Sequence, residues 1–176
     1  LAEVIKHGII RDPGYFHMLD EKFDQVMELN NDVLRELIYV SCRIKSEVVA
    51  EDEKESDIRR ILNFGHTIGH AVEAASGFDI AHGFAVCIGM VAAARISLHK
   101  GLLDQDKLAT IISMIERYGL PTEVPENLDR NLIKSYLLTD KKRIGSNTSF
   151  ILARDIGEVI ITDEVSEEEI DAVINY

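Results

Sequence analysis

His66, His70 and His82 fall close together in a chain of 176 residues that has six histidines in all. In Asn63-Phe64-Gly65-His66-Thr67-Ile68-Gly69-His70 two of them are four apart. A helix would project both imidazoles from one face, and Glu73, seven past His66, shares that face. Paired imidazoles with a carboxylate nearby suit Zn2+ or a similar divalent ion. Equally, a pair at this spacing can simply hydrogen-bond inside a helix interface. The zinc-protease pattern needs Glu directly after the first His, and Thr67 stands there, so that class is unsupported.

Arg59 lies four before Asn63, and Asn63 three before His66. Arg59, Asn63, His66 and His70 therefore form a polar ladder along one predicted helical stripe. Such a stripe either faces solvent or lines a pocket for an anionic, hydroxylated ligand, with Arg gripping a carboxylate or phosphate bidentately. Gly65 and Gly69 each cost a helix about 1 kcal/mol relative to Ala, so close backbone approach of a ligand or of another helix is expected there. Glu3 and Lys6, three apart, predict by themselves an ordinary surface ion pair.

The elements that must position these residues are mostly helical. The pattern predicts a short amphipathic piece over 1–9, a turn at Asp12-Pro13-Gly14, and a polar helix from Glu21 to Leu29 with Phe23, Val26 and Met27 on one side. Asn30-Asn31-Asp32 caps a helix on which Val33, Leu34, Leu37, Ile38, Ser41, Ile44 and Val48 recur. The acid-rich run from Glu51 to Asp57 is expected to be a solvated helix end or loop. Ile58 to Ala75 is predicted as one long helix, interrupted in pattern by Gly65 and Gly69. Phe84 to Leu98, apolar nearly all round, predicts a central buried helix closed by Lys100-Gly101. Asp104 to Tyr118 is a further amphipathic helix, and Leu132 to Leu138 leads into Asp140-Lys141-Lys142. Only Ser149 to Leu152 and Val159 to Ile161 carry a β signal, as a hairpin. A capping box at Ser166-Glu167-Glu168-Glu169 opens a last helix. The expected fold class is mainly α, a single multi-helix domain over 1–176 with a small β-hairpin near the C-terminus.

Nineteen basic against 31 acidic residues give a net charge of −12. That balance argues against broad nucleic-acid or anionic-membrane binding. No run approaches the ~20 apolar residues of a membrane span. Cys42 and Cys87 both sit in apolar helical patterns, which predicts no disulfide framework and a reducing, cytoplasmic compartment.

Arg59 followed by Asn63-Phe64-Gly65-His66-Thr67-Ile68-Gly69-His70-Ala71-Val72-Glu73 resembles the signature of 3-dehydroquinate synthase. The likeness continues through His82-Gly83, Ile88-Gly89-Met90-Val91, the opening Ala2-Glu3-Val4-Ile5-Lys6-His7-Gly8, Lys45 through Glu53, and Asp140-Lys141-Lys142. It implies that Glu3, His66 and His82 hold a catalytic divalent metal, Zn2+ or Co2+. It also implies that His70 stays off the metal near the substrate phosphate, that Lys6 is catalytic, and that Lys45, Arg59 and Asn63 bind substrate. One of Lys141 and Lys142 would serve the phosphate. The implied reaction turns 3-deoxy-D-arabino-heptulosonate 7-phosphate into 3-dehydroquinate and phosphate in the shikimate pathway. NAD+ would be bound mainly by an N-terminal domain outside this chain, which shows no Gly-rich dinucleotide fingerprint. The fragment alone is expected to be inactive, and the full-length enzyme is expected to be a homodimer. Two positions depart from the family pattern: Phe84 stands where Glu is common after His-Gly, and Asp57 where Gly is common. Phe84 removes a carboxylate beside His82. The alternatives are another sugar-phosphate cyclase and a noncatalytic helical module with structural histidines.

Overall fold

The computed structural model of the chain describes residues 1–52, 58–144 and 149–176, with side chains described for all of these but 138–144. Its helices are α1 (Ala2–Arg11), α2 (Pro13–Glu21), α3 (Phe23–Met27), α4 (Asn31–Glu51), α5 (His66–Ala75), α6 (His82–His99), α7 (Gln105–Arg117), α8 (Arg130–Ile144) and α9 (Glu167–Ile174), with a 3-10 helix over Ile58–Asn63. Strands β1 (Phe150–Asp155) and β2 (Glu158–Thr162) pair antiparallel, with an irregularity between Ala153 and Asp155. The expected mainly α architecture with one hairpin is what the chain adopts.

Helix α6 is the hub. Thirteen of its residues, from Ala85 to Ser97, are buried, because a helix apolar all round can satisfy its surface only by being surrounded. Contrary to the expectation that no run approaches a membrane span, this helix is long and apolar enough to cross one by length and composition, yet most of it is buried within this fold. Its one deeply buried hydroxyl ties the hairpin down. Ser97 Oγ–H donates to Ala93 O at 2.8 Å and accepts from Ala153 N–H at 2.9 Å, so β1 hangs from α6. The hairpin turn is fastened in turn to α1, where Gly157 N–H donates to Ile9 O.

Four local expectations are corrected. Asp12-Pro13-Gly14 is the start of α2, where the Asp12 carboxylate accepts from Tyr15 N–H and Pro13 occupies the first turn, a position suited to a residue without N–H. The stretch from Glu21 to Leu29 is split, since α2 ends at Glu21 and α3 begins at Phe23; Met27 is exposed. Ile38 is exposed too, although Val33, Leu37, Ile44 and Val48 are buried as the pattern on α4 required.

The fourth correction matters most. Ile58 to Ala75 is a 3-10 helix and an α-helix separated by a left-handed Gly65 at φ +78°. A Cβ at Gly65 would lie 2.5 Å from Met90 Cγ and 2.7 Å from Met90 N, and one at Gly89 would lie 2.7 Å from Gly69 N. The glycines thus let α5 and α6 pass backbone against backbone, one of the two expectations for them. That crossing brings the first residue of α5, His66, to the first residue of α6, His82.

Candidate metal centre

Because each helix begins with a histidine, the α5–α6 crossing assembles a cluster. The His66 and His82 rings are 5.4 Å apart, His66 and His70 5.2 Å, and His70 and His82 5.6 Å. One nitrogen from each can be chosen so that all three lie within 4.8 Å of one another. Helix α1 supplies the fourth group: Glu3 Oε1 lies 3.7 Å from His66 Nε2. The sequence-predicted Glu3, His66, His70 and His82 are therefore brought together.

Their surroundings are unequal. His66 Nδ1 is 3.2 Å from Phe64 O. A carbonyl only accepts, so Nδ1–H donates and the lone pair lies on Nε2, the nitrogen that faces Glu3. Burial first, then the charge of Lys6, hold this imidazole down at about 4, keeping it neutral. His82 Nδ1 lies 3.1 Å from Glu73 Oε2, which likewise leaves Nε2 free. His70 is exposed and has no hydrogen-bond partner among the described residues.

Lys6 is not the surface residue that its spacing from Glu3 suggested: it is only 2% exposed. Its Nζ donates to Glu3 Oε2 at 2.8 Å and to Leu62 O at the end of the 3-10 helix. Burial lowers the Lys6 pKa against the pull of Glu3. For Glu3, burial pushes the carboxyl up, but the charge and hydrogen bond of Lys6, aided by His66 and His7, leave it below its ordinary value. One oxygen is thus occupied by Lys6. The other, Oε1, is buried with no hydrogen-bond partner. An orphaned buried carboxylate oxygen beside an imidazole lone pair is costly unless something positive sits between them. A carboxylate oxygen and two imidazole nitrogens are a donor set that fits Zn2+ or Co2+.

The polar ladder does not run along one helix, because the break at Gly65 separates Arg59 and Asn63 from His66 and His70. Arg59 is half-buried on the 3-10 helix, its N–H donating to Asp52 Oδ2; Asn63 is exposed at its end. Lys45 is exposed on α4 and close enough to Lys6 and His7 to depress both. The side chains of Lys141 and Lys142 lie outside those described, as does Asp57.

Two features escaped the sequence reading. His7 is buried, with Nδ1 2.8 Å from Ser41 Oγ and Nε2 unpartnered, and nothing in α1 alone signals a partner on α4. Glu73 shares a helix face with His66 as its spacing required, but its carboxylate turns to His82 across the loop over 76–81, which no local period could reveal. It also gives His82 a carboxylate although Phe84 supplies none.

Residues 1–143 match the family described as 3-dehydroquinate synthase C-terminal. The 3-dehydroquinate synthase of Synechococcus sp. is 45% identical over 177 residues, covering 99% of this chain and 48% of the relative. Among solved structures, the 2-epi-5-epi-valiolone synthase of Streptomyces hygroscopicus subsp. jinggangensis, with NAD+ and Zn2+ bound, shares the fold at TM-score 0.88. It is 24% identical, over 99% of this chain and 49% of that one. A 2-deoxy-scyllo-inosose synthase complexed with carbaglucose-6-phosphate, NAD+ and Co2+ aligns at TM-score 0.80 and 26% identity, over 98% of this chain and 50% of its own. The chain spans about half the length of the curated relatives it matches.

Proposed function

Since the chain belongs to the family of 3-dehydroquinate synthase C-terminal domains, we propose that it is the metal- and substrate-binding half of a 3-dehydroquinate synthase. The reaction converts 3-deoxy-D-arabino-heptulosonate 7-phosphate to 3-dehydroquinate and phosphate. NAD+ is held mainly by the part of the relatives' sequence that lies outside this chain, and the working form is a cytoplasmic homodimer. The observation that carries this reading is the buried, partnerless Glu3 Oε1 facing His66 Nε2 at 3.7 Å, with His82 beside it.

Glu3, His66 and His82 would hold the divalent ion, and His70 would not. The choice between the imidazoles follows the family resemblance, since the three rings lie in one cluster. It is supported by the Nδ1 hydrogen bonds of His66 and His82, which leave Nε2 free, whereas the His70 ring has no hydrogen-bond partner among the described residues. A bound cation would supply Lewis acidity toward vicinal hydroxyls and a carbonyl, and NAD+ would supply the hydride acceptor for oxidation at the substrate's C5. Lys6 fixes Glu3 by one oxygen, leaving the other turned to His66. His70, exposed and uncommitted, moves a proton at the leaving phosphate. Arg59 and Lys45 match the substrate's anionic groups, Asn63 its hydroxyls, and one of Lys141 and Lys142 its phosphate.

Phosphate release from the heptulosonate phosphate, measured on the protein that carries this chain with NAD+ and Zn2+ or Co2+, tests the proposal. Release from sedoheptulose 7-phosphate instead would assign the protein to another sugar-phosphate cyclase. No stoichiometric metal, together with a His66→Ala variant of unchanged stability, would leave a noncatalytic helical module.

A further inference from the structure

Glu73 lies on α5, three residues past His70, with its side chain 18% exposed against 48% for the His82 that it holds. Among the described residues it has no Lys or Arg partner; its carboxylate is spent on His82 Nδ1 alone. A carboxylate so largely withdrawn from water needs a donor to offset its desolvation, and the imidazole N–H is that donor. The main chain of the same residue shapes the approach of His82. Glu73 O accepts from Phe78 N–H at 3.0 Å and from Ser76 Oγ–H at 2.7 Å, and Ser76 Oγ accepts from Ile80 N–H at 3.2 Å. The loop that returns the chain to α6 therefore hangs from Glu73, and the ring at its far end is gripped by the Glu73 side chain. No other hydrogen bond to the His82 ring is found among the described residues.

Resting on the metal centre proposed above, we infer that Glu73 is a positioning residue for His82. It holds Nδ1–H, fixes the tautomer that presents Nε2, and by its charge makes that nitrogen a stronger donor to a divalent cation. Carboxylate–imidazole pairs of this kind typically raise metal affinity by about 10–100-fold. Phe64 O plays the corresponding neutral part for His66, so the two nitrogen donors are unequal and His82 is the more electron-rich.

The test is a Co2+ titration of the metal-free protein that carries this chain, read by the visible d–d absorption, with the His82 tautomer read by 15N NMR before metal is added. For Glu73→Gln we expect affinity roughly 10–100-fold weaker, an altered absorption band, and loss of the Nδ1–H preference at His82. Asp79→Asn, which removes an exposed charge from the same loop, should leave all three unchanged. If Glu73→Gln fails to fold, Glu73→Asp makes the same comparison, with affinity expected several-fold weaker because the carboxylate no longer reaches. Equal affinity and an unchanged band in a folded variant would overturn the role of Glu73 while leaving the metal centre standing. Failure of Co2+ to bind the unsubstituted protein would remove the metal centre itself, and the inference with it.

Discussion

At the scale of single residues, the site turns on keeping nitrogen lone pairs available. His66 and His7 are each held near 4 chiefly by burial, with the charge of Lys6 adding to it. Both are neutral in the fold, whereas an unfolded chain protonates them near the ordinary 6.5. The stability they contribute is full above about pH 6.5 and is lost as pH falls toward 4. For His7, 3% exposed, the loss reaches about 3 kcal/mol. Glu3, lowered in the fold, loses its contribution in the same direction at still lower pH. Urea unfolding from about pH 7.5 to about 4.5 should show this decline, and His7→Gln should make it shallower; a flat profile in the unsubstituted chain would refute the assignment. Glu3→Gln tests the other ligand type: it keeps a partner for Lys6 but removes the negative oxygen facing His66, and should weaken Zn2+ binding at least tenfold in a chelator competition. The histidines were legible in the sequence because two sit at helical spacing and three cluster along the chain. The burial of Lys6 was not, because the carbonyl that completes its cage belongs to Leu62, 56 residues away.

At the scale of elements, the centre exists because α5 and α6 can touch along their backbones. Gly65→Ala would force a side chain into the left-handed region, at about 1–2 kcal/mol, and into Met90, at roughly a further 1–3. Chemical denaturation should show a loss of about 2–5 kcal/mol, summing these two effects. Trimming Met90 in the same chain should recover little, because Met90 N, not only its side chain, lies in the way. A Gly65→Ala chain of undiminished stability would mean that the crossing is looser than described. Period and capping revealed α4, α6, α7, the hairpin and the final capping box, each of which carries its own signal. They marked Gly65 as an interruption of the pattern but could not reveal that the helix breaks there, because residues on both sides are compatible with one continuous helix. What breaks it is a neighbour, α6, that local pattern cannot see. The same limit explains Ile38, apolar by period yet exposed, for which nothing in the structure supplies a reason.

For the whole molecule, the cation would join three elements, α1, α5 and α6, through Glu3, His66 and His82. Metal that binds only the folded chain adds about 2.7 kcal/mol at a hundredfold excess over Kd. For a chain of this size each kcal/mol shifts Tm by about 2–4 °C, so chelation of the metal-loaded protein should lower Tm by roughly 5–10 °C. A Tm indifferent to chelation would show that metal does not bridge these elements. The partners of α1 also bear on the order in which the chain acquires structure. Lys6 closes on Leu62, and the hairpin turn closes on Ile9 from nearly the opposite end of the sequence. Loops that long form late, after contacts nearer in sequence have repaid their entropy. Helical signal should therefore recover early in refolding and capture of a metallochromic probe ion last, so that the chain is a helical globule before it is competent to hold a cation.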